Sequence, residues 1–370
     1  MANKTVIYDQ HLATGAKMVD FAGWDMPLHY GSQVDEHHRV RQSAGIFDVS
    51  HMTVVDLTGE RVVDFLRHLL ANDIGRLVDP GKALYSCMLD EQGGVIDDLI
   101  TYFIDSTHYR LVVNAGTRDK DLAWIREQAG AFAVDVDERS DTAMLAVQGP
   151  EARARVLPLL PPGLAAQAAE LKPFFAAWSG DWFIARTGYT GEDGFEIILP
   201  TVEAPALWRR LLDLDVAPIG LGARDSLRLE AGMNLYGSDM DENTTPLESG
   251  LGWTVAWEPG ERDFIGRSAL AAQRERGVER KLVGLLLQGR GVIRNHQRVR
   301  CQSGDQSGDQ PGDGEVTSGG FSPTLKRSIA LARVPASCDG DCEVEIRGKW
   351  LPATVVKLPF VRNGTIKIEL

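Results

Sequence analysis

The 370-residue chain predicts an α+β protein: two units that mix strands and helices, then a carboxyl-terminal all-β domain. Three observations carry this. Two stretches pass through strands and helices in a similar order, the pattern of split βαβ units of ferredoxin-like character. From Lys281 onward the apolar segments are short and no helical period separates them, which reads as a small barrel or jelly roll. Apolar residues make up 44% and charged residues 25%, a globular mix that excludes wholesale disorder, and the length allows two or three domains.

The elements follow in order. Residues 1–50 are rich in glycine and aromatic residues with little periodicity, and read as an irregular lead-in with short helices. Residues 51–57 alternate as a strand, and Val62, Val63, Leu66, Leu69 and Leu70 then share one helical face. Residues 84–89, 95–103 and 109–113 are strands, with Gly93-Gly94 turning the first into the second. Thr117 can cap a helix carrying Leu122 and Ile125, and 132–136 is a short strand. The second pass has a strand at 143–148, Pro150 at a helix start, strands at 182–187 and 195–199, and helices at 204–212 and about 223–231. The last stretch has strands at 282–287, 328–334, 343–347 and 353–357. Within it, 302–314 repeats Ser-Gly-Asp-Gln, cannot pack, and reads as a flexible hairpin tip without function.

Charge and composition exclude several functions. Lys plus Arg is 39 against 52 Asp plus Glu, a formal net charge of −13 that repels phosphate backbones and anionic lipid. No apolar run approaches the roughly 18 residues of a membrane span. The first residues lack the features of a signal or transit peptide, so a cytoplasmic protein is expected. Cys87, Cys301, Cys338 and Cys342 form no C-x-x-C, and reduced thiols are expected. Walker, dinucleotide and nucleophile-elbow patterns are missing. His37 and His38 beside Asp35 and Glu36 look metal-like, but neighbours on a helix point about 100° apart. They read as solvated or capping residues, and no metal centre is expected.

Three places invite chemistry. Asp97 and Asp98 alternate across a strand, so they belong to opposite faces and cannot share one substrate proton. Whichever acid sits among apolar neighbours has its pKa raised toward neutrality, suited to proton handling. An equal reading makes it a turn-side Asp bonding the Gly93-Gly94 backbone. The loop Gly188-Tyr-Thr-Gly-Glu-Asp-Gly194, followed by Glu196, can approach a flat ligand closely, while a tight hairpin would need similar glycines. Arg224 opens a helix against the dipole and so calls for an anionic partner from the protein or a ligand.

Several segments together resemble one family. Asp20-Phe-Ala-Gly-Trp-Asp-Met-Pro27, Gly45-Ile-Phe-Asp-Val-Ser-His-Met52, Gly93-Gly-Val-Ile-Asp-Asp-Leu99, Gln148-Gly-Pro150, Arg186-Thr-Gly-Tyr-Thr-Gly-Glu-Asp-Gly-Phe-Glu196 and Gly222-Ala-Arg-Asp-Ser-Leu-Arg-Leu-Glu-Ala-Gly232 resemble the aminomethyltransferases, or T-proteins, of the glycine cleavage system. Ser318-Gly-Gly-Phe-Ser-Pro-Thr-Leu325 and Pro359-Phe-Val-Arg-Asn363 extend the resemblance to the carboxyl end. It implies a three-domain cloverleaf with its first two domains interleaved: 1–50 with 139–246 as a folate-binding domain, 51–138 with 247–280 as a second, and 281–370 as the β domain.

The resemblance also implies a reaction. A methylene passes from the aminomethyl group on the lipoyl arm of H-protein to tetrahydrofolate, a co-substrate, giving 5,10-methylenetetrahydrofolate, ammonia and dihydrolipoyl H-protein. By position in the family motif Asp98 is the catalytic acid. Glu196 grips the pterin, Asn114, Arg224 and Arg362 line the folate site, and Tyr85, Met52, Tyr189 and Tyr236 are walls or stacking surfaces. A folate-dependent demethylase of the same superfamily is the nearest alternative. An accessory factor of iron–sulfur assembly would carry K-G-C-Y-x-G-Q-E where this chain has Arg186-Thr-Gly-Tyr-Thr-Gly-Glu, without a cysteine.

Overall fold

The computed structural model describes residues 2–301 and 314–369, so most of the repeat at 302–314 lies outside the described residues. The described strands form two larger sheets, a closed barrel and two small ribbons. One sheet has five strands in the order Ala83–Leu89, Val95–Asp105, His108–Val113, Thr53–Thr58 and Asp135–Glu138. The other has six: Ala176–Ser179, Trp182–Ala185, Gly194–Pro200, Thr142–Gln148, Gly45–Asp48 and Ala217–Pro218. Gly45–Asp48 precedes every strand of the five-stranded sheet, and its partners follow them, so the two sheets interleave along the chain.

Strand alternation decides which core each residue joins. In Thr142–Gln148, Ala143, Leu145 and Val147 pack outward against Leu207, Trp208 and Leu211 of the helix Ala204–Asp213. Met144 and Ala146 face the other way, into a cluster with Phe47, Val54, Tyr102, Val112 and Phe183. That cluster draws on both sheets and joins them face to face. Beyond the five-stranded sheet, Val55, Leu57 and Leu111 bury Phe65, Leu66 and Leu69 of Val62–Leu69 and Ile125 of Arg118–Ala129.

The last domain is a closed barrel ordered Arg280–Leu287, Arg327–Pro335, Gly314–Ser322, Arg298–Cys301, Asp341–Ile346 and Lys349–Val356. Leu285, Val299, Val316, Ala332 and Val344 fill it. Its outer residues Leu286, Ile329 and Leu331 pack with Phe360 and Val361 against Leu229 of the helix Leu221–Glu230.

The lead-in is more ordered than its composition implies. Asn3–Lys4, Trp24–His29 and Lys17–Phe21 form a three-stranded ribbon, and Gly45–Asp48 is buried throughout, so neither shows an alternating pattern. The expected strand at 132–136 begins later, at Asp135–Glu138, because Phe132 ends a 3₁₀ turn and packs on Phe65. Thr117 sits at the helix start, but its hydroxyl donates to the Asn114 carbonyl at 3.1 Å instead of capping an N–H. The expectation of four reduced thiols is corrected. Cys301 and Cys338 form a disulfide, and Cys87 and Cys342 are free and buried. The two bonded residues are 37 apart in sequence and are brought together only by closure of the barrel.

The solvated reading of 35–38 is also corrected, for Glu36 and His37. Glu36 is buried and accepts the N–H groups of Tyr30 at 2.7 Å and Gly220 at 2.8 Å. His37 reaches Ser226 at 2.7 Å and Thr324 at 3.1 Å, while Ser32 caps the helix. Beside His37 lies Glu230, completely buried where the helices Gln33–Gln42 and Leu221–Glu230 meet the barrel. It accepts Nη2 of Arg41 at 2.8 Å, Oγ1 of Thr324 at 2.8 Å, the Thr324 N–H at 3.1 Å and the Ser322 hydroxyl. Burial alone would raise its pKa, but His37 and Arg41 reverse this and hold it at about 2. Burial keeps His37 itself below its usual range, so the Arg41 guanidinium balances the charge. Removing one partner of such a pair leaves an uncompensated buried ion. Arg41→Met is therefore expected to cost about 3–5 kcal/mol in urea unfolding; a loss under about 1 kcal/mol would show that the neutral donors suffice.

Candidate active site

Asp98 lies in the middle of the five-stranded sheet, opposite Cys87 on the neighbouring strand Ala83–Leu89. The other neighbour, His108–Val113, stops just short of it, since the last pairings run from Ile100 with Val112. Asn114 continues that ladder with its side chain. Its Nδ2 donates to the Asp98 carbonyl at 3.1 Å and to Oδ1 of both Asp98 and Asp97 at 2.9 Å, and its N–H donates to Asp97 Oδ2 at 3.1 Å. The pleat thus separates the two acids, yet one amide at the strand end bridges them. The bridge leaves the two acids on opposite faces, as the strand period requires. The turn-side reading of Asp98 falls, because Asp90 does that work, accepting the N–H groups of Gln92 and Gly94 at 2.8 Å.

Tyr85 donates its hydroxyl to Asp98 Oδ2 at 2.8 Å, and its ring stacks on that of Trp253, 5.7 Å away. Trp253 is 67% exposed. Burial, then the charge of Asp97, pushes the Asp98 carboxyl up to about 7, against the hydrogen bonds from Tyr85 and Asn114. This is an acid able to take or give a proton near neutrality.

A second group forms in the six-stranded sheet. Glu196, on Gly194–Pro200, accepts the Thr187 hydroxyl, and burial raises its pKa against that bond and the charge of Arg224. Arg224 makes no hydrogen bond or ion pair among the described residues; its guanidinium lies over the Tyr189 ring at 4.9 Å. With Phe47, Val49, Ala146, Gln148 and Thr190, the residues Glu196, Arg224 and Tyr189 line a small hollow. The Tyr189 hydroxyl donates to the Asn234 carbonyl, and burial raises its pKa, with Arg228 and Arg224 acting against it.

The remaining expected residues are spread more widely. Met52 is half-buried against Phe47 and Val49. Tyr236 lies behind Asp98, on the side of Asp97 and Asp121, donating to the Val95 carbonyl at 3.0 Å and accepting from Lys120 at 2.7 Å. Arg362 is exposed, on a segment whose next residues bind the 188–194 loop: Asn363 N–H to the Gly191 carbonyl at 3.0 Å and Gly364 N–H to Glu192 at 2.7 Å. The glycines of that loop serve packing, since a Cβ on Gly188 would fall 1.9 Å from Gln148 Oε1. Gln148 was not singled out, although a buried Gln ending an apolar strand marks it. Its Nε2 donates to the Thr187 carbonyl at 3.1 Å and its Oε1 accepts from Thr190 at 2.9 Å. Trp253, Thr187 and Asp121 carry no comparable signal.

Family models match in two blocks: the GCVT N-terminal domain over residues 7–259 and the glycine cleavage T-protein C-terminal barrel domain over 280–362. With this fold and this acid-centred site, the chain belongs to the glycine cleavage T-protein family. Within it, the chain is an enzyme of the aminomethyltransferase type. It is 61% identical to the aminomethyltransferase of Nitrosococcus oceani, over 98% of this chain and 96% of the relative. It is 58% identical to that of Pseudomonas syringae pv. tomato, over 98% and 99% of the two chains. The crystal structure of glycine cleavage system aminomethyltransferase T from Bartonella henselae superposes with a TM-score of 0.90 at 38% identity, covering 99% of this chain and all of that one. No helix among the described residues is long and apolar enough to cross a membrane.

The raised Asp98 pKa has a sign that stability can test. Between about pH 4, where an aspartate in the unfolded chain ionises, and about pH 7, unfolding releases a proton from Asp98. Its contribution to stability is therefore present below pH 4 and lost as pH rises through about 7. Asp98→Asn should gain on the unaltered protein across this window in urea titrations, with a constant difference above pH 8. A pH-independent difference would mean that Asp98 titrates in its ordinary range.

Proposed function

We propose that the chain moves the methylene of an aminomethyl group, carried on the lipoyl arm of H-protein, to tetrahydrofolate. The products are 5,10-methylenetetrahydrofolate, ammonia and dihydrolipoyl H-protein. One observation carries the reading: a partly buried carboxyl, held by Tyr85 and Asn114 and pushed up toward neutrality by burial, is found in a fold that also has a hollow lined by an unpaired guanidinium and a second carboxyl.

In the transfer two C–N bonds form to the methylene, while one C–N bond to ammonia and one C–S bond to the arm break. Two protons leave the folate nitrogens; one ends on ammonia and one on sulfur. The nucleophiles belong to folate and the leaving thiol to the arm, so the protein is asked for positioning and proton handling. Asp98 takes a nitrogen proton as the methylene is attacked and returns it to the departing group. Glu196 accepts from ring N–H and amino groups of the pterin, and Arg224, stacked on Tyr189, faces its polar edge. Asn114 has its amide hydrogens committed to Asp97 and Asp98, so it serves by fixing the acid. Arg362, exposed and unpaired among the described residues, suits the anionic tail of folate. The domain boundaries implied by the resemblance are kept as part of this reading, which the interleaving of the two sheets supports.

The direct test is release of ammonia and methylenetetrahydrofolate from purified aminomethyl-lipoyl H-protein, with and without tetrahydrofolate. Fast, folate-dependent release is expected; folate binding without turnover would point to another methyl donor. Asp98→Asn should keep folate affinity within about tenfold, some 1.4 kcal/mol, and lose about 10²-fold or more in turnover. Unchanged turnover would remove Asp98 from the chemistry. Arg362→Ala should weaken folate binding by about tenfold while turnover at saturating folate changes little. A loss confined to turnover would move Arg362 out of the binding role.

A further inference from the structure

Behind Asp98 lies a second pair of acids that the transfer itself does not require. Asp97 is completely buried, with both oxygens bonded by Asn114. Asp121, in the first turn of Arg118–Ala129, is completely buried too, and neither of its oxygens receives a hydrogen bond from an N–H or another donor among the described residues. The Thr117 hydroxyl is close, but its one hydrogen goes to the Asn114 carbonyl. What lies beside Asp121 is Asp97: Asn114 bonds Asp97, Thr117 bonds the Asn114 carbonyl, and one helical turn on the Asp121 N–H reaches the Thr117 carbonyl at 2.8 Å, so that each acid bears on the other's protonation.

Two ionised carboxylates have no hydrogen to place between them. A buried ion without a donor also carries the full cost of its lost hydration. One proton between the two oxygens removes both difficulties. It belongs on Asp121, because Asp97 alone has the Asn114 donors that stabilise a charge. We propose that Asp97 and Asp121 share one proton, so that the pair sets a single fixed negative charge against Asp98 and Asp121 is a positioning residue for the reaction. This rests on Asp98 being the reacting acid.

The surroundings leave that charge in place. Tyr85 and Cys87 face Asp98 from the adjoining strand and Tyr189 from its loop, all three held neutral by burial first. Tyr236 faces the pair, with its pKa raised by burial and by nearby acids. Lys120 acts on Asp121 in the lowering direction, but its ammonium is bonded to Tyr236 and paired with Glu242. Burial raises the pKa of both acids: on Asp97 the Asn114 bonds act against it, whereas on Asp121 the charge of Asp97 adds to it and pushes that carboxyl well above the usual carboxylate range, in agreement with a proton retained there.

The test uses Asp97→Asn and Asp121→Asn in the full chain, reading the pH dependence of turnover with aminomethyl-lipoyl H-protein and tetrahydrofolate. In Asp121→Asn a carboxamide N–H replaces the shared proton, so the ionisation midpoint stays in place. In Asp97→Asn the fixed charge is gone, and the midpoint moves to lower pH by about one unit or more. Infrared difference spectra at pH 8, unaltered protein minus Asp121→Asn, should contain the C=O stretch of a protonated carboxylic acid. An acid shift in Asp121→Asn as large as in Asp97→Asn, or a difference spectrum without that band, would overturn the proposal. Should a variant fail to fold, carboxyl-carbon NMR shifts of aspartate-labelled unaltered protein decide the matter, by showing or lacking an aspartate still protonated at pH 8. Unchanged turnover in Asp98→Asn would instead sink the role of Asp98, while the infrared comparison would still decide on the shared proton.

Discussion

A carboxylate that cannot leave water without compensation, Glu230, dictates how the three parts of this protein meet. It ends the helix Leu221–Glu230, and its partners come from the helix Gln33–Gln42 and from the barrel segment around Ser322 and Thr324. Arg41, its counter-ion, also binds Glu192 at 2.7 Å and the Thr190 carbonyl at 2.8 Å. One buried charge therefore ties the 188–194 loop, two helices and the barrel into a single arrangement. Arg228, on the same helix, repeats the device with Asp239 at 2.9 Å and Ser318 at 2.9 Å. The same helix begins near Arg224, so whatever fixes its far end also fixes the guanidinium in the hollow.

Glu230 is completely buried and Asp98 partly so, yet their carboxyls are driven in opposite directions. Glu230 has the His37 ring, a guanidinium, two hydroxyls and a backbone N–H; the hydrogen bonds and the cation outweigh burial. Asp98 has a phenol and a shared amide, and a second acid next to it in the strand. Burial then wins. The difference lies in donor count and the sign of the nearest charge, which is how one chain can use buried acids both as structural anchors and as a proton-handling group.

Much of this could be read from the residues, for stated reasons. The strands at Val95–Asp105 and Thr142–Gln148 and the helix Val62–Leu69 have apolar periods that match one geometry only. The strands Arg298–Cys301 and Gly314–Ser322 do not, being respectively charged at alternate positions over a short span and rich in Gly, Ser and Thr. The helix Arg267–Arg276 has no apolar period to read, because Leu270 is its one large apolar residue, set among alanines, and Leu270 and Gln273 alone are buried. Pattern singled out the Asp97–Asp98 pair, and the family motif chose Asp98. Neither reached Asn114 as a bridge between the acids, since that depends on a neighbouring strand ending one residue early. The disulfide and the burial of Glu36 and His37 were equally out of reach, as both arise from elements far apart in the chain.

Arg224 shows why an unfilled requirement is more telling than a filled one. Its position at a helix start opposes the dipole, and burial lowers its pKa, so the fold places a cation where it is least favoured. Tyr189 offers its ring face, and Glu196 lends a charge from across the hollow, but no hydrogen-bond acceptor in the described residues takes the guanidinium. The guanidinium donors are thus left without an acceptor at a hollow whose lining also holds a carboxyl already bonded to Thr187. A flat ring with acceptors on one edge and donors on the other would satisfy both walls at once. That is the polarity the pterin of the proposed co-substrate would bring.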